Sequence, residues 1–282
     1  MSEFKVISMK SLILFILFII ELIVGIIFYN YLHKKTHIRK KFILIDNLIS
    51  VFISFLITYL IFINTGFKMS LFLFIVIFLT FALLLYFAIT LLISIYRFWR
   101  APKRKIVAKE NEIVSPADGN VIYINKINEN DKFISIKNGK ISDITEITKT
   151  NLISKPCWQI GINMTPLDVH KNCSPIDGEI ILSKHIIGVF YSLKEFLSMT
   201  ENERQTFVIK NKFISVGVVL IASKRVKRID SYVKEGRFVK KGDWIGMIRF
   251  GSQVDIFLPI NCDIKVKIGE QVYTRKTIIA CF

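Results

Sequence analysis

The chain has 282 residues, 52% of them apolar with 24 Phe, and 22% charged. That balance excludes a disordered chain, a collagen-like repeat and a small disulfide scaffold, and the length allows one or two domains. Charge is spread unevenly. Residues 1–96 hold eight Lys/Arg and three Asp/Glu, whereas 97–282 hold 31 and 19, a net +12 in a part long enough to bury its own core.

Three apolar runs open the chain, at about Ser11–Leu32, Phe42–Ile63 and Leu71–Tyr96. A helix needs roughly 20 residues to cross the hydrocarbon of a bilayer, and each run has them, so residues 1–96 are predicted to be a membrane anchor of three transmembrane helices. The first run is too long for a signal-peptide core and lacks a small-x-small cleavage site. Glu21 lies within it and reads as a protonated carboxyl against a neighbouring helix. The loop His33–Lys41 carries Lys34, Lys35, Arg39, Lys40 and Lys41, and Asn64–Ser70 carries only Lys68. Arg97, Arg100, Lys103, Arg104 and Lys105 follow the third run. The positive-inside rule then predicts a multi-pass protein of the cell membrane with its C-terminal domain on the cytoplasmic face.

Residues 97–109 read as a basic linker and 110–282 as a separate domain. Its positive charge suits an anionic membrane surface, and no nucleic-acid motif or stacking-aromatic cluster accompanies it, so no nucleic acid is expected. Cys157, Cys173, Cys262 and Cys281 have no CxxC spacing and read as free thiols. With only His170 and His185 in the domain, no metal is expected. The runs Asn120–Ile124, Lys132–Lys137, Trp158–Met164, Glu179–Ser183, Lys212–Ala222, Ile245–Phe250 and Gln253–Leu258 are predicted strands, and Asn138-Gly139 is a predicted turn. One amphipathic helix is predicted over Ser192–Thr200. No βαβ alternation is visible. The fold class expected is three N-terminal transmembrane helices followed by a mainly β (α+β) domain of barrel-sandwich character. There is one internal echo: Ser115-Pro116-Ala117-Asp118-Gly119-Asn120-Val121 returns as Ser174-Pro175-Ile176-Asp177-Gly178-Glu179-Ile180, each a Pro–Asp–Gly turn launching a strand. Barrel-sandwich carriers of lipoyl or biotin use similar strings, but no modification lysine in their usual setting is present.

Three places hold polar residues suited to chemistry: Asp118, the run Met164–His170, and Arg249–Asp255. A serine activated by a histidine that an aspartate orients is a nucleophile on many folds. Gly251-Ser252 interrupts two apolar strand patterns, where glycine marks a bulge or strained backbone. An N→O acyl shift needs such a place, because the hydroxyl must reach the preceding carbonyl.

Together these residues resemble the phosphatidylserine decarboxylase proenzymes, most closely the short, archaeal-type form. Phe98-Trp99-Arg100-Ala101-Pro102-Lys103-Arg104 is similar to the family's opening motif, and Ser115–Gly119 to its Ser-Pro-Ala-Asp-Gly. Met164–His170 matches Met-x-Pro-x-Asp-Val-His, and His185–Phe190 matches His-x-x-Gly-x-Phe. Glu201-Asn202-Glu203-Arg204 matches Glu-Asn-Glu-Arg, and Lys241–Pro259 the segment with Gly-Ser-x-Val-Asp. Ala101 replaces an acidic residue, Gln253 stands where Arg or Thr is common, and Cys173 stands where longer members carry a second His.

The resemblance implies a self-processing carboxy-lyase that converts phosphatidylserine to phosphatidylethanolamine and CO2. Ser252 would attack the Gly251 carbonyl, giving a β chain of residues 1–251, an α chain of residues 252–282, and a pyruvoyl cofactor on the new N-terminus. It implies His170 as the base and Asp118, rather than Asp177, as the acid that orients or charges a His, with no metal. His185, Glu203, Arg204 and Arg249 are candidate substrate or support residues, and Lys224-Arg225 could also meet the phosphate. The partners implied are phosphatidylserine, the bilayer and the chain's own two fragments, with a homo-oligomer as a further option. Two other readings compete: a membrane-anchored binding module without catalysis, and a decarboxylase for another serine-bearing lipid.

Overall fold

A computed structural model describes residues 2–36, 40–64, 70–129, 134–137, 140–142, 144–193, 197–223, 228–249 and 252–282. The chain divides into two compact units, Met1–Arg97 and Phe98–Phe282.

The first unit consists of α1 (Ser2–Thr36), α2 (Lys40–Asn64) and α3, which runs from Leu71 to Trp99. Leu12–Lys34, Leu44–Phe62 and Leu71–Trp99 are long and apolar enough to cross a membrane, with mean hydropathies of 3.0, 2.0 and 2.9. Large apolar side chains such as Phe15, Phe52 and Leu84 point outward, and the polar ones turn inward. Glu21 accepts a hydrogen bond from Ser54, Tyr86 donates to Asn47 at 3.0 Å, and Thr90 bonds Ser50 at 3.1 Å. Arg97 Nε donates to Asp46 at 2.8 Å. This inside-out distribution satisfies polar groups within the bundle and is what a lipid solvent requires.

The second unit is mainly β. Its first half supplies β1 (Glu112–Val114), β2 (Gly119–Ile127), the hairpin β3 (Ile134–Lys137) and β4 (Lys140–Ser142), helix α4 (Ile144–Thr148) and β5 (Cys157–Met164). There follow β6 (Lys171–Cys173), β7 (Gly178–Ile186), α5 (Ser198–Glu201), β8 (Arg204–Lys210), β9 (Ser215–Ala222), β10 (Ile229–Ser231), β11 (Phe238–Val239) and β12 (Trp244–Ile248). The chain ends with β13 (Ser252–Pro259), β14 (Asp263–Ile264), β15 (Gln271–Val272) and β16 (Ile278–Cys281). Among the described residues eight strands form one sheet, in the order β11-β7-β8-β9-β13-β5-β2-β15, which curls into a half-barrel. Two three-stranded sheets, β1-β16-β14 and β10-β12-β6, share the main core with it.

That order is palindromic. β2, β5, β13 and β15 mirror β7, β8, β9 and β11, and β1-β16-β14 mirrors β6-β12-β10. The sequence echo is the seed of this pseudo-symmetry. Ser115 Oγ donates to the Ala117 carbonyl and Ser174 Oγ to the Ile176 carbonyl, each at 2.7 Å. Gly119 and Gly178 then start β2 and β7, both against a neighbouring strand. A Cβ on Gly178 would lie 2.6 Å from the Lys210 carbonyl oxygen, and one on Gly119 would strike that of Asn163. The second half, β6–β12, is thus inserted between β5 and β13 of the first. The two connections between halves are residues 165–170 and 249–251.

Alternation explains the burial. Val254, Ile256 and Leu258 of β13 join the main core, whereas Phe257 joins a second cluster with Tyr123, Ile144, Ile147 and Met199, beneath α4 and α5. A sheet covered on both faces accounts for the near-continuous apolar strands.

The expected architecture is present, with corrections. The stretch 97–109 is not simply a linker. α3 continues to Trp99, Arg100 donates to the Leu167 carbonyl, and Arg104 is tied into the second unit. The strand expected from Lys212 begins at Ser215, because the Asn211 side chain accepts from the Phe213 and Ile214 N–H groups and makes a turn. The helix expected over 192–200 is the short Ser198–Glu201, with 194–196 outside the described residues. The Asn138-Gly139 turn also lies outside them. Strand β8 goes unpredicted because it starts with polar Arg204, Gln205 and Thr206, all buried here by hydrogen bonding.

Candidate active site

Strand β5 ends where β13 begins, at one end of the central strands. Ser252, the first residue of β13, pairs with Met164 at the end of β5 and with Ala222 at the end of β9. Its backbone is therefore held on both sides. Gly251 lies outside the described residues.

After Met164 the chain turns on Asp168. Its carboxylate accepts from the Thr165 N–H at 2.9 Å and the Thr165 hydroxyl at 2.7 Å, while the Asp168 N–H donates to the Thr165 carbonyl at 2.9 Å. This self-capped turn aims the Asp168 carbonyl at His170, whose Nδ1 lies 2.9 Å away. A carbonyl can only accept, so Nδ1 carries the proton and Nε2 keeps its lone pair. His170 is fully buried, and Nε2 has no hydrogen-bond partner among the described residues. Phe98, the first residue of the second unit, stacks on the imidazole with ring centres 4.2 Å apart. The His170 carbonyl accepts from the Ile248 N–H at 3.2 Å, fixing the histidine to the strand that leads to Gly251. Burial pushes its pKa down to about 4, against smaller opposing effects of the Asp168 carbonyl and of the Asp168 and Asp118 charges. A neutral base is thus fixed four sequence positions from Ser252 through Ile248.

Asp118 is fully buried in the first Pro–Asp–Gly turn. Arg104 grips its carboxylate with both terminal nitrogens, Nη2 to Oδ2 at 2.8 Å, and the Thr274 N–H donates to Oδ1 at 2.8 Å. None of these bonds reaches His170. The expected orienting role therefore falls to the Asp168 carbonyl, and Asp118 acts on the imidazole through its charge. Asp177, its counterpart in the second half, accepts from the Lys241 N–H at 2.8 Å.

Cys173 is buried beside Thr274, whose hydroxyl donates to its Sγ at 3.0 Å. Burial pushes the thiol up to about 11, so it is a protonated space-filler and not a nucleophile. Iodoacetamide at pH 7.5 is expected to label half-exposed Cys281 and leave Cys173 intact, as read by peptide mass. Equal labelling of the two would refute this.

The remaining candidates divide. Arg204 is fully buried, and its hydrogen bonds go to the carbonyls of Asn202, Ile147 and Met199, at 2.6–3.0 Å. It fastens β8 to α4 and α5, a supporting position. Half-exposed His185 pairs with buried Glu203 at 2.9 Å. Arg249 pairs with Asp230 at 2.9 Å and lies over the Trp99 ring at 5.5 Å, still 38% exposed. Lys224-Arg225 lies outside the described residues.

Sequence reasoning passed over Arg104 as the partner of Asp118, although both lie in quoted motifs. It also passed over Asp255, which accepts from Tyr123 at 2.6 Å and from Gln159 and Gln253 at 2.7 Å in a fully buried network behind β13. Its place in Gly-Ser-x-Val-Asp was the available signal.

A family model for phosphatidylserine decarboxylase matches residues 91–280, two-thirds of the chain. The chain belongs to the phosphatidylserine decarboxylase family. Among its relatives, a protein of Methanocaldococcus jannaschii named "Putative archaetidylserine decarboxylase proenzyme" is 43% identical over 192 residues, 67% of this chain and 90% of that one. Phosphatidylserine decarboxylase proenzymes of Amoebophilus asiaticus and Burkholderia ambifaria are 40% and 32% identical. Those matches cover 65% and 67% of this chain, and 73% and 79% of theirs. This family consists of carboxy-lyases, so the chain is an enzyme and the reading as a non-catalytic module is set aside.

Proposed function

We propose that the protein is a membrane-anchored, pyruvoyl-dependent decarboxylase that converts phosphatidylserine to phosphatidylethanolamine and CO2 after cutting itself between Gly251 and Ser252. The observation that carries this reading is the buried, unprotonated Nε2 of His170, tied through Ile248 to the strand that leads to the Gly-Ser pair.

A serine hydroxyl needs a positioned base to act as a nucleophile near neutral pH. His170 takes the Ser252 proton as the hydroxyl adds to the Gly251 carbonyl. The C–N bond breaks, an ester forms, and the proton passes to the released amine. Elimination then leaves Gly251 as a carboxylate, and water replaces the nitrogen of residue 252, which departs as ammonia. The residues present suit this outcome: a neutral buried base and a nucleophile on a doubly paired strand. When formed, the pyruvoyl group supplies an electron sink for the carboxylate bond that breaks. The chain's own residues hold and deliver. His170 keeps a proton-accepting atom in a site walled by Phe98, and Arg249 offers a guanidinium to the lipid phosphate. The three apolar helices keep the enzyme in the bilayer where its substrate's acyl chains remain, with the second unit on the cytoplasmic face, the side that its basic flanking residues favour.

The test is the intact mass of the protein purified from its own membrane. Two pieces are expected, residues 1–251 and a 31-residue C-terminal fragment with a blocked N-terminus, and Ser252→Ala should remain one chain without decarboxylase activity. A wild-type chain that stays whole would overturn the reading. The name of the 43%-identical relative favours a second reading, a decarboxylase for another serine-bearing lipid. Scission is common to both, and competition between lipids with one headgroup and different hydrocarbon parts separates them.

A further inference from the structure

Asn172 is fully buried on β6, two residues after His170. The pairing of this segment with β12 extends from the His170 carbonyl to Cys173, so residues 170 and 172 fall on one face of an extended strand. The Asn172 amide nitrogen donates weakly to Met164 Sδ at 3.9 Å. Met164 is the residue paired with Ser252, which puts the amide beside the start of β13. The Oδ1 of Asn172 has no hydrogen-bond partner among the described residues, and neither has Nε2 of His170. A buried polar atom without a partner is uncommon enough to need a reason, and here two occur together on one strand face.

Both atoms are acceptors. Nε2 is an acceptor because Nδ1 carries the proton, and Oδ1 is the carbonyl end of an amide whose NH2 faces the sulfur. Two buried acceptors on one strand face disfavour a carboxylate or a phosphate and call for a ligand with hydrogens to give. In a serine headgroup near neutral pH the carboxylate and phosphate are acceptors only, and the amine alone carries such hydrogens. We propose that Asn172 binds the amine of the substrate headgroup, its Oδ1 and His170 Nε2 forming a two-acceptor seat for the amine N–H groups. This rests on the reading of the site as a decarboxylase for a serine-bearing lipid. The seat gives the amine N–H groups two acceptors next to Ser252 and supplies the discrimination against lipids without an amine, because an uncharged alkyl group there would leave both acceptors buried and unpaired.

The experiment uses the full-length protein in mixed micelles with short-chain lipids. Asn172→Leu keeps the size and removes the acceptor. It is expected to be cut to completion by intact mass, to raise KM for dihexanoyl phosphatidylserine about tenfold, and to change kcat less than threefold. Asn172→Asp, which keeps an acceptor, is expected to return KM to within threefold of wild type. A second measurement does not depend on turnover or processing. Uncut Ser252→Ala is expected to bind dihexanoyl phosphatidylserine at least fivefold tighter than dihexanoyl phosphatidylglycerol, and adding Asn172→Leu is expected to erase that preference. A processed Asn172→Leu enzyme with wild-type KM, or a Ser252→Ala chain with no preference for the amine lipid, would overturn the proposal while leaving self-processing intact. A wild-type chain that is never cut would instead overturn the underlying reading.

Discussion

His170→Gln is expected to leave the chain whole and to slow scission at least a hundredfold. Loss of a positioned base removes 10²–10⁴ from a proton-transfer step, and no second imidazole lies in the Met164–Cys173 segment to replace it. The pH profile gives a sharper test than the loss itself. An ordinary histidine, titrating near 6.5, would be about one-tenth neutral at pH 5.5, and scission would fall roughly tenfold from its plateau. His170 is held at about 4 by burial, so wild-type scission is expected to stay flat from pH 8 to pH 5 and to decline only near pH 4. Cell-free synthesis into lipid discs, followed by intact mass against time, measures both. A tenfold fall by pH 5.5 would show that the base is not this buried imidazole. The same depressed value has a stability consequence. Below pH 6.5 the unfolded chain gains a proton on His170 and the folded chain does not, so this contribution is complete above pH 6.5. It is lost as pH falls toward 4, by at most ~3 kcal/mol.

Arg104→Met is expected to destabilise the second unit by about 3 kcal/mol, or roughly 6–12 °C in thermal midpoint. The reason is the asymmetry of the pair. Asp118 is wholly buried, whereas the Arg104 side chain is 19% exposed. Removing the arginine strands a carboxylate whose other partner among the described residues is the Thr274 N–H, in a place water does not reach. Removing the carboxylate leaves a guanidinium that can turn toward solvent and that still donates to the Thr274 carbonyl at 3.0 Å. Asp118→Asn is therefore expected to cost less than half as much as Arg104→Met. The double variant should be more stable than Arg104→Met alone, because the uncompensated charge is gone. Equal losses from the two single changes would mean that the pair is effectively solvated. Scission should slow in both single variants, since Asp118 sits in the turn that anchors Cys173 and so the segment that follows His170.

Much of this molecule can be read in one dimension because its signals are local. Helices long and apolar enough to cross a membrane follow from uninterrupted apolar runs, so Leu44–Phe62 and Leu71–Trp99 need no tertiary information. The Pro–Asp–Gly turns at Asp118 and Asp177 are set by the conformational limits of proline and glycine, and their repetition is the visible trace of the palindromic sheet. The Gly251-Ser252 pair and His170 stand out because each breaks or punctuates an apolar pattern. What stayed hidden depends on contacts between residues far apart in sequence. Arg204 reads in the sequence as a substrate or support residue, and only the packing of α4 and α5 over β8 gives its guanidinium to three backbone carbonyls. Asp118 looks like the partner of a histidine, and only the return of residues 98–104 along the second unit gives it to Arg104. Asn172 carries no signal in its type or spacing. Its meaning comes from burial that leaves one oxygen without a donor among the described residues, and burial is a property of the assembled sheets and not of any segment within them.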